Sequence, residues 1–247
     1  MKTCILVPAF NCSDTIAEVC RRIPLTGPED EILVVDDGSS DGTLEIAQGL
    51  PRVHAVRNDV NLGYGGTSNR LYALARERCA DVTVNVHGDL GHRPEEIPLI
   101  LDEMKRTEAD VVVGTRLLFL KNIARQKGYP RLLWDDHLRS GMPRERFLGH
   151  LVLTSLQNFV YGSKLHSFHE GMRACGRRAI DWAATRRLPA RYTYDSEFLF
   201  QAHRQGFVIR EVPVPPSYDP RARAAAPPIR YGLKVLQHVA RVALKGS

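Results

Sequence analysis

The sequence predicts a single α/β domain with a mostly parallel central sheet and helices on both faces, and three observations predict it. Short apolar, β-branched runs alternate with stretches of helical spacing over the first 113 residues. Four of those runs end in clusters of Asp, Asn, His, Gly and Arg, placed where open parallel sheets hold their ligands. The chain is 247 residues long, 43% hydrophobic and 25% charged, with no Ser/Gly/Pro-rich linker to divide it.

The elements follow in order. Residues 3–7 form an apolar strand that Pro8 interrupts. Ile16, Val19, Cys20 and Ile23 give residues 14–23 a helical face, with Ser13 or Asp14 as N-cap. Ile32–Val35 reads as a buried strand ended by Asp36-Asp37-Gly38, and residues 43–50 as a helix. A short strand over 53–56 precedes a helix over 67–78, with Leu71, Leu74 and Ala75 on one side. Strand 82–86, helix 97–107 and strand 111–113 complete this regular half. The second half is less periodic. Residues 117–146, rich in Arg, Lys, Gly and Pro, read as a long mobile segment. Helices are expected over 147–161, 179–184 and 197–205, and a strand over 207–212. Residues 229–245 form an amphipathic basic helix, with Leu233, Leu236, Val239, Ala240 and Ala243 opposed to Lys234, Arg241 and Lys245. The expected division is a catalytic domain over 1–220 and a C-terminal loop and basic helix over 221–247.

The formal net charge of +6 points to anionic partners such as nucleotides, phosphates or a membrane surface. Five scattered cysteines without Cys-x-x-Cys spacing argue against a disulfide framework or a zinc site and for a reducing compartment. The N-terminus runs straight into a strand, so no signal peptide is expected, and no apolar run reaches the length of a membrane span. The expected location is the cytoplasm, with peripheral contact at the inner face of the membrane open. No Gly-x-Gly-x-x-Gly follows the first strand, which excludes a dinucleotide dehydrogenase. Without interleaved aromatic and basic residues or a known module, nucleic acid is not an expected partner.

Two constellations carry chemistry. Asp36-Asp37-Gly38-Ser39-Ser40-Asp41-Gly42-Thr43 sets adjacent carboxylates and glycines at a strand end, suited either to a base and ribose or to a turn with a helix cap. His87-Gly88-Asp89 places a hard oxygen ligand at the next strand end, where Asp89 suits Mg²⁺ or Mn²⁺ and His87 is a possible second ligand. The other histidines are expected at the surface or in packing.

Together with Val7-Pro8-Ala9-Phe10-Asn11, Asn61-Leu62-Gly63-Tyr64-Gly65-Gly66, Gly114-Thr115-Arg116, Gly141-Met142-Pro143, His169-Glu170-Gly171-Met172-Arg173 and Tyr194-Asp195-Ser196-Glu197, these stretches resemble family 2 glycosyltransferases, especially the dolichyl-phosphate mannose synthase-like branch. The resemblance runs from about residue 4 to about residue 220. It implies a GT-A fold, a GDP- or UDP-linked sugar donor and a divalent cation. It places Pro8, Ala9, Asn11, Gly65 and Gly88 around the nucleotide, Asp37 at the base or ribose, and Asp89 at the metal. Arg116 with Arg144 or Arg146 would face an acceptor phosphate, and Arg221 or Arg223 the donor phosphates. Arg173, Asp195 and Glu197 would shape the sugar and acceptor side. The family's usual first Asp is His87 here, a frequent Gln is Gly91, and the basic Gly-Ser-Lys stretch has become Arg-Ala-Arg-Ala-Ala-Ala-Pro-Pro over 221–228.

The implied reaction is an inverting transfer to a polyprenyl phosphate. The alternatives are transfer to a hydroxyl in polysaccharide or natural-product assembly, with Asp195 or Glu197 as base, and a non-catalytic nucleotide-binding protein.

Overall fold

A computed structural model describes residues 1–127, 135, 142–186, 188, 193–217, 219–222 and 228–245. Seven strands form one sheet in the order β3-β2-β1-β4-β6-β5-β7. They are β1 (Thr3–Ala9), β2 (Glu31–Asp36), β3 (Val53–Arg57), β4 (Val82–Asn85), β5 (Val111–Thr115), β6 (Arg173–Gly176) and β7 (Ile209–Pro213). β6 runs antiparallel to both neighbours, β4 and β5, and every other pairing is parallel.

The alternation of side chains along each strand builds two cores. Ile5, Val7, Ile32 and Val34 turn to the face covered by α1 (Ile16–Arg22), α2 (Thr43–Gln48) and α4 (Ile97–Thr107). Cys4, Leu6, Leu33 and Val35 turn to the other face. There Leu71 and Tyr72 of α3 (Gly63–Glu77) meet Ile180 of α7 (Arg177–Thr185) and Phe198 of α8 (Tyr194–Arg204). Val235 and Val239 of the terminal helix α9 (Pro228–Lys245) join this second core, as does Tyr161 of α6 (Arg144–Tyr161). The C-terminal segment thus closes the core of the preceding domain.

Several boundaries differ from the sequence reading. Residues expected to be mobile from 117 onward begin as a helix, α5 (Arg116–Lys127), whose Leu117, Leu120 and Ala124 are buried against Met142 and Phe147. Apolar residues at helical spacing outweigh the local Arg and Lys content there. α6 begins at Arg144 rather than at 147. α3 begins four residues before the predicted start: Gly63 takes φ 74, and Asp37 accepts hydrogen bonds from the amides of Leu62 and Gly63. A cap from a distant strand is invisible in local sequence. α1 begins at Ile16, so Ser13 and Asp14 do not cap it; Thr15 instead donates to the carbonyls of Cys12 and Gly88. β6 was not anticipated, because its four residues, Arg-Ala-Cys-Gly, show no strand alternation.

Candidate functional site

The carboxyl ends of β1, β2 and β4 are tied into one rim. Ala9 is buried and its carbonyl accepts the Asp37 amide at 2.8 Å, while the Pro8 carbonyl accepts the Gly88 amide at 3.3 Å. Asn11 adopts φ 49; its amide donates to Ser39 Oγ at 2.8 Å and its side-chain oxygen accepts the Ser40 amide at 2.9 Å. Asp36 is fully buried and holds the Ser39 hydroxyl. Asp37 is almost as buried: Oδ1 accepts from Asn58 Nδ2 at 2.7 Å and from the Leu62 amide, and Oδ2 from the Gly63 amide at 2.8 Å. The carboxylate offered by the sequence to a base or ribose thus also anchors the first turn of α3, where Gly65 is buried. Oδ1 is taken twice, and Oδ2, with one bond, keeps lone-pair capacity for a ligand.

Next along the sheet is the loop after β4. Gly88 is packed so that a Cβ would stand 3.1 Å from both Cys12 Sγ and Ile16 Cδ1. Asp89 is half-buried, and its Oδ1 accepts the Gly91 amide at 3.0 Å. His87 lies under this loop: its ring sits edge-on to Tyr64 at 5.0 Å and 4.2 Å from the ring of His92, and its amide donates to His92 Nδ1. A Cβ on Gly171, two residues before β6, would come within 2.6 Å of His87 Nε2, so a larger residue there would have to displace the His87 ring. Burial lowers the pKa of both histidines, which favours neutral rings.

Among the described residues no group of three or more His, Cys, Asp or Glu side chains gathers as a metal cage. One carboxylate at a strand end does fit a hard cation that completes its shell with substrate phosphates and water. Asp89 provides it. His87 Nε2 is buried without a hydrogen-bond partner, against Gly171 and His92.

Beyond β4 the site turns basic. Arg173, at the start of β6, is completely buried; its Nε donates to Tyr72 Oη at 3.2 Å, its Nη1 pairs with Asp195, and its guanidinium lies 4.4 Å from the Phe198 ring centroid. Tyr64 donates to the same Asp195 oxygen at 2.9 Å, and burial with the nearby carboxylate raises the Tyr64 pKa well above that of a free phenol. Asp195 is therefore held from two sides and joined through Tyr64 to His87. Glu197, two residues further along α8, points elsewhere: it accepts from Thr193 Oγ1 at 2.8 Å and lies 3.3 Å from His238 Nδ1 on α9.

Arg116 stands at the carboxyl end of β5. Its Nε donates to the buried Glu170 at 2.8 Å and its Nη2 to the His169 carbonyl at 3.3 Å. Burial outweighs this arginine and raises the Glu170 pKa. A small cleft lined by Gly91, His92, Arg116, Glu170, Met172 and Ser217 joins the Asp89 loop to this ion pair. Arg144 and Arg146 lie in the first turn of α6, Arg144 exposed and Arg146 half-buried; burial, with His169, Arg116 and Arg146 nearby, pushes the His150 pKa well down. Arg221 forms ion pairs with Asp219 and with Glu18 of α1. Arg223 and Gly141 lie outside the described residues.

Sequence reasoning missed Tyr64, His92 and Glu170 as site residues. Tyr64 and Glu170 stood inside quoted motifs, and the signal for each was a polar or aromatic residue beside a glycine that packs against the site.

The mixed, mostly parallel seven-stranded sheet, with polar residues gathered at the carboxyl ends, is that of the GT-A fold. The sequence pattern described as Glycosyl transferase family 2 matches residues 4–181, and the chain belongs to that family and is a glycosyltransferase. It is similar to the UDP-N-acetylglucosamine–dolichyl-phosphate N-acetylglucosaminyltransferase of Methanococcus voltae, 25% identical and covering 94% of this chain and 92% of the relative. The polyprenol monophosphomannose synthase of Mycolicibacterium smegmatis is 26% identical, covering 86% of this chain and 76% of the relative. The undecaprenyl-phosphate mannosyltransferase of Micrococcus luteus is 28% identical, covering 87% and 83%. Among solved structures, glucosyl-3-phosphoglycerate synthase from Mycobacterium tuberculosis in complex with Mn²⁺, UDP and glucosyl-3-phosphoglycerate superposes with TM-score 0.64 at 17% identity, covering 98% of this chain and 80% of that one.

Proposed function

We propose that the protein transfers a sugar with inversion from a nucleoside-diphosphate sugar to a polyprenyl phosphate at a membrane surface. The observation that carries the reading is the small cleft that runs from Gly91 and His92, in the loop that follows Asp89, to the Arg116–Glu170 pair, because it links the loop of the candidate metal carboxylate to a cation for a second phosphate. The names of relatives that cover most of this chain support the acceptor class.

In this reading the rim of Pro8, Ala9, Asn11 and Asp37 receives the nucleotide, and Asp89 is the residue that would hold Mg²⁺ or Mn²⁺. Such a cation, when bound, neutralises charge on the departing diphosphate. A phosphate oxygen of the acceptor attacks the anomeric carbon, the bond from that carbon to the diphosphate oxygen breaks, and nucleoside diphosphate leaves. The acceptor phosphate arrives ionised, so it needs positioning rather than proton removal. Arg116 provides it, with Arg144 and Arg146 at the mouth of the same side, and Glu170 holds the Arg116 fork until the acceptor arrives. Arg173 and Tyr64 fix Asp195 at the sugar side. Arg221 is spent on Asp219 and Glu18 and would reach donor phosphates only by leaving them.

The test pairs a panel of nucleotide sugars, with Mn²⁺ or Mg²⁺, with a polyprenyl phosphate and a hydroxyl acceptor. Turnover on the phosphate is expected. Asp89→Ala should lower that turnover by about a thousandfold, the scale of several kcal/mol of lost charge stabilisation, with little change in Tm. Turnover on the hydroxyl acceptor alone overturns the acceptor assignment, and an active Asp89→Ala overturns the metal assignment.

A further inference from the structure

We infer that the outer faces of α6 and α9 together form a docking face for the surface of an anionic bilayer, an inference that rests on the lipid-phosphate reading above.

The two helices pack against each other and against the same core, so their outer sides open in the same direction. Each buries one stripe and leaves a second apolar stripe in solvent. On α6 the inner stripe is Phe147, Thr154, Gln157 and Tyr161. The outer one is Leu148, Val152, Leu156 and Phe159, spaced by four, four and three residues, with Phe159 87% and Val152 67% exposed. On α9, Val235, His238 and Val239 turn inward, while Ile229, Leu233, Leu236 and Leu244 lie outside, Ile229 at 81% and Leu244 at 87% exposure. Eight large apolar side chains on one two-helix surface are far from the scattered exposed hydrophobics of an ordinary surface. Neither helix is long and apolar enough to cross a membrane, so such a face lies in the interface plane.

Charge selects the occupant. α9 carries no Asp or Glu, and its exposed Arg230, Lys234 and Arg241 form a stripe roughly a third of a turn from the apolar one. In α6 no carboxylate follows Glu145. A second copy docked on this face would offer the basic stripe no carboxylate from α9 or from α6 beyond Glu145. A surface bearing phosphate headgroups complements the same pattern, with Arg and Lys at the headgroups and Phe, Leu, Ile and Val at the acyl boundary.

The inner sides of the same two helices reach toward the reaction cleft. Tyr231 of α9 is hydrogen-bonded to His169 Nδ1 at 2.7 Å, and His150 of α6 meets the His169 ring at 5.2 Å. His169 adjoins Glu170, the partner of Arg116. Docking through α6 and α9 would therefore hold the Arg116 side of the molecule toward the bilayer.

The experiment co-sediments the full chain with phosphatidylcholine vesicles that contain or lack phosphatidylglycerol. Wild type should sediment with the anionic vesicles and be released by salt. Phe159→Asp on α6 and Leu233→Asp on α9 should each lower the partition coefficient by about tenfold or more, with Tm unchanged because both side chains are exposed. Phe159→Asp should lower transfer to a long-chain polyprenyl phosphate in vesicles and spare a short-chain, water-soluble one. A protein that stays in the supernatant overturns the inference. So does a Phe159→Asp variant that partitions like wild type, or a wild-type dimer that Phe159→Asp converts to monomer. If partitioning depends on Phe159 while no polyprenyl phosphate is glycosylated, the docking face stands and the acceptor assignment falls.

Discussion

The rim formed by β1, β2 and the loop after β4 differs in kind from the side built by α5, α6 and α9. In the rim, polar side chains are consumed by backbone. Asp37 holds the amides of Leu62 and Gly63 at the start of α3, Thr43 accepts the Cys12 amide at 2.9 Å, and Asp41 accepts the Ser13 amide at 3.1 Å. Such a surface is set before the ligand arrives, as recognition of a nucleotide with fixed geometry requires. On the other side, polar groups pair with one another: Arg116 with Glu170, Glu197 with His238 and His169 with Tyr231. There the helices leave apolar stripes outside. The contrast assigns a rigid donor rim and an acceptor side whose ion pairs can exchange partners.

The sharpest way to break that contrast lies on one helix. Asp195 and Glu197 are two residues apart on α8, yet Asp195 faces Arg173 and Tyr64 while Glu197 faces α9. Asp195→Asn should lower kcat by about a hundredfold, the scale of a misplaced reacting group, and destabilise the fold by about 3 kcal/mol because buried Arg173 loses its counter-charge. Glu197→Gln should leave kcat near wild type. With a polyprenyl phosphate the pH–rate profile of Asp195→Asn should keep the wild-type limbs. A lost acidic limb would make Asp195 a general base and move the acceptor to the hydroxyl class. Equal losses in the two variants would erase the distinction between the faces of α8.

The next test falls on the rim. Asp37→Asn puts an amide NH₂ where the carboxylate now receives Asn58 Nδ2 and two backbone N–H groups. At least one donor loses its partner, so stability should fall by about 1–3 kcal/mol. Because the start of α3 shifts with it, the donor KM should rise more than kcat falls. Thermal unfolding together with donor saturation curves reads both. A variant with a wild-type melting curve and a higher KM would leave Asp37 purely a ligand contact.

Much of the rim was legible in the sequence because strand ends in a parallel sheet are marked locally, by an apolar run followed by Asp, Asn or Gly. Pro8, Asn11, Asp37 and Asp89 all fall at such ends. The far side was less legible because its contacts are long-range. Arg116 reaches Glu170 across 54 positions, Asp195 reaches Tyr64 across 131, and α3 starts at Gly63 because Asp37 caps it from 26 positions earlier. Composition also misled: the Arg- and Lys-rich run after Arg116 hides a helix whose buried residues are few but correctly spaced.

The smallest effect concerns acid and turns on His169 and His238 of the helical side, while His87 and His92 by the rim, also held neutral by burial, add to the same fall. His169 and His238 lie between α6, α8 and α9, and both are held neutral in the folded protein. Burial, with Arg116 nearby, pushes His169 down to about 3, and burial, with Arg241 nearby, pushes His238 down to about 4, from an ordinary value of 6.5. The sign follows from linkage. A group whose folded pKa is depressed binds its proton more readily in the unfolded chain, so stability falls wherever the unfolded state takes up more protons. For these two residues the loss begins as pH drops below about 6.5 and continues toward 4 and 3; above about 6.5 they contribute no slope. Glu197 lies beside His238 and favours its charged form, but its own pKa is raised by burial, so its negative charge weakens as the acid range is entered. Tm should therefore be level above about pH 6.5 and fall below it, and His238→Gln should flatten part of that fall. Hydrogen exchange near pH 5 should show α9 and the outer turns of α6 opening before β1, β2 and α3, whose polar links are carboxylate–amide bonds. Opening of β1 and β2 first, or a Tm indifferent to pH between about 4 and 6.5, would show that the histidines do not mark the weaker half of the molecule.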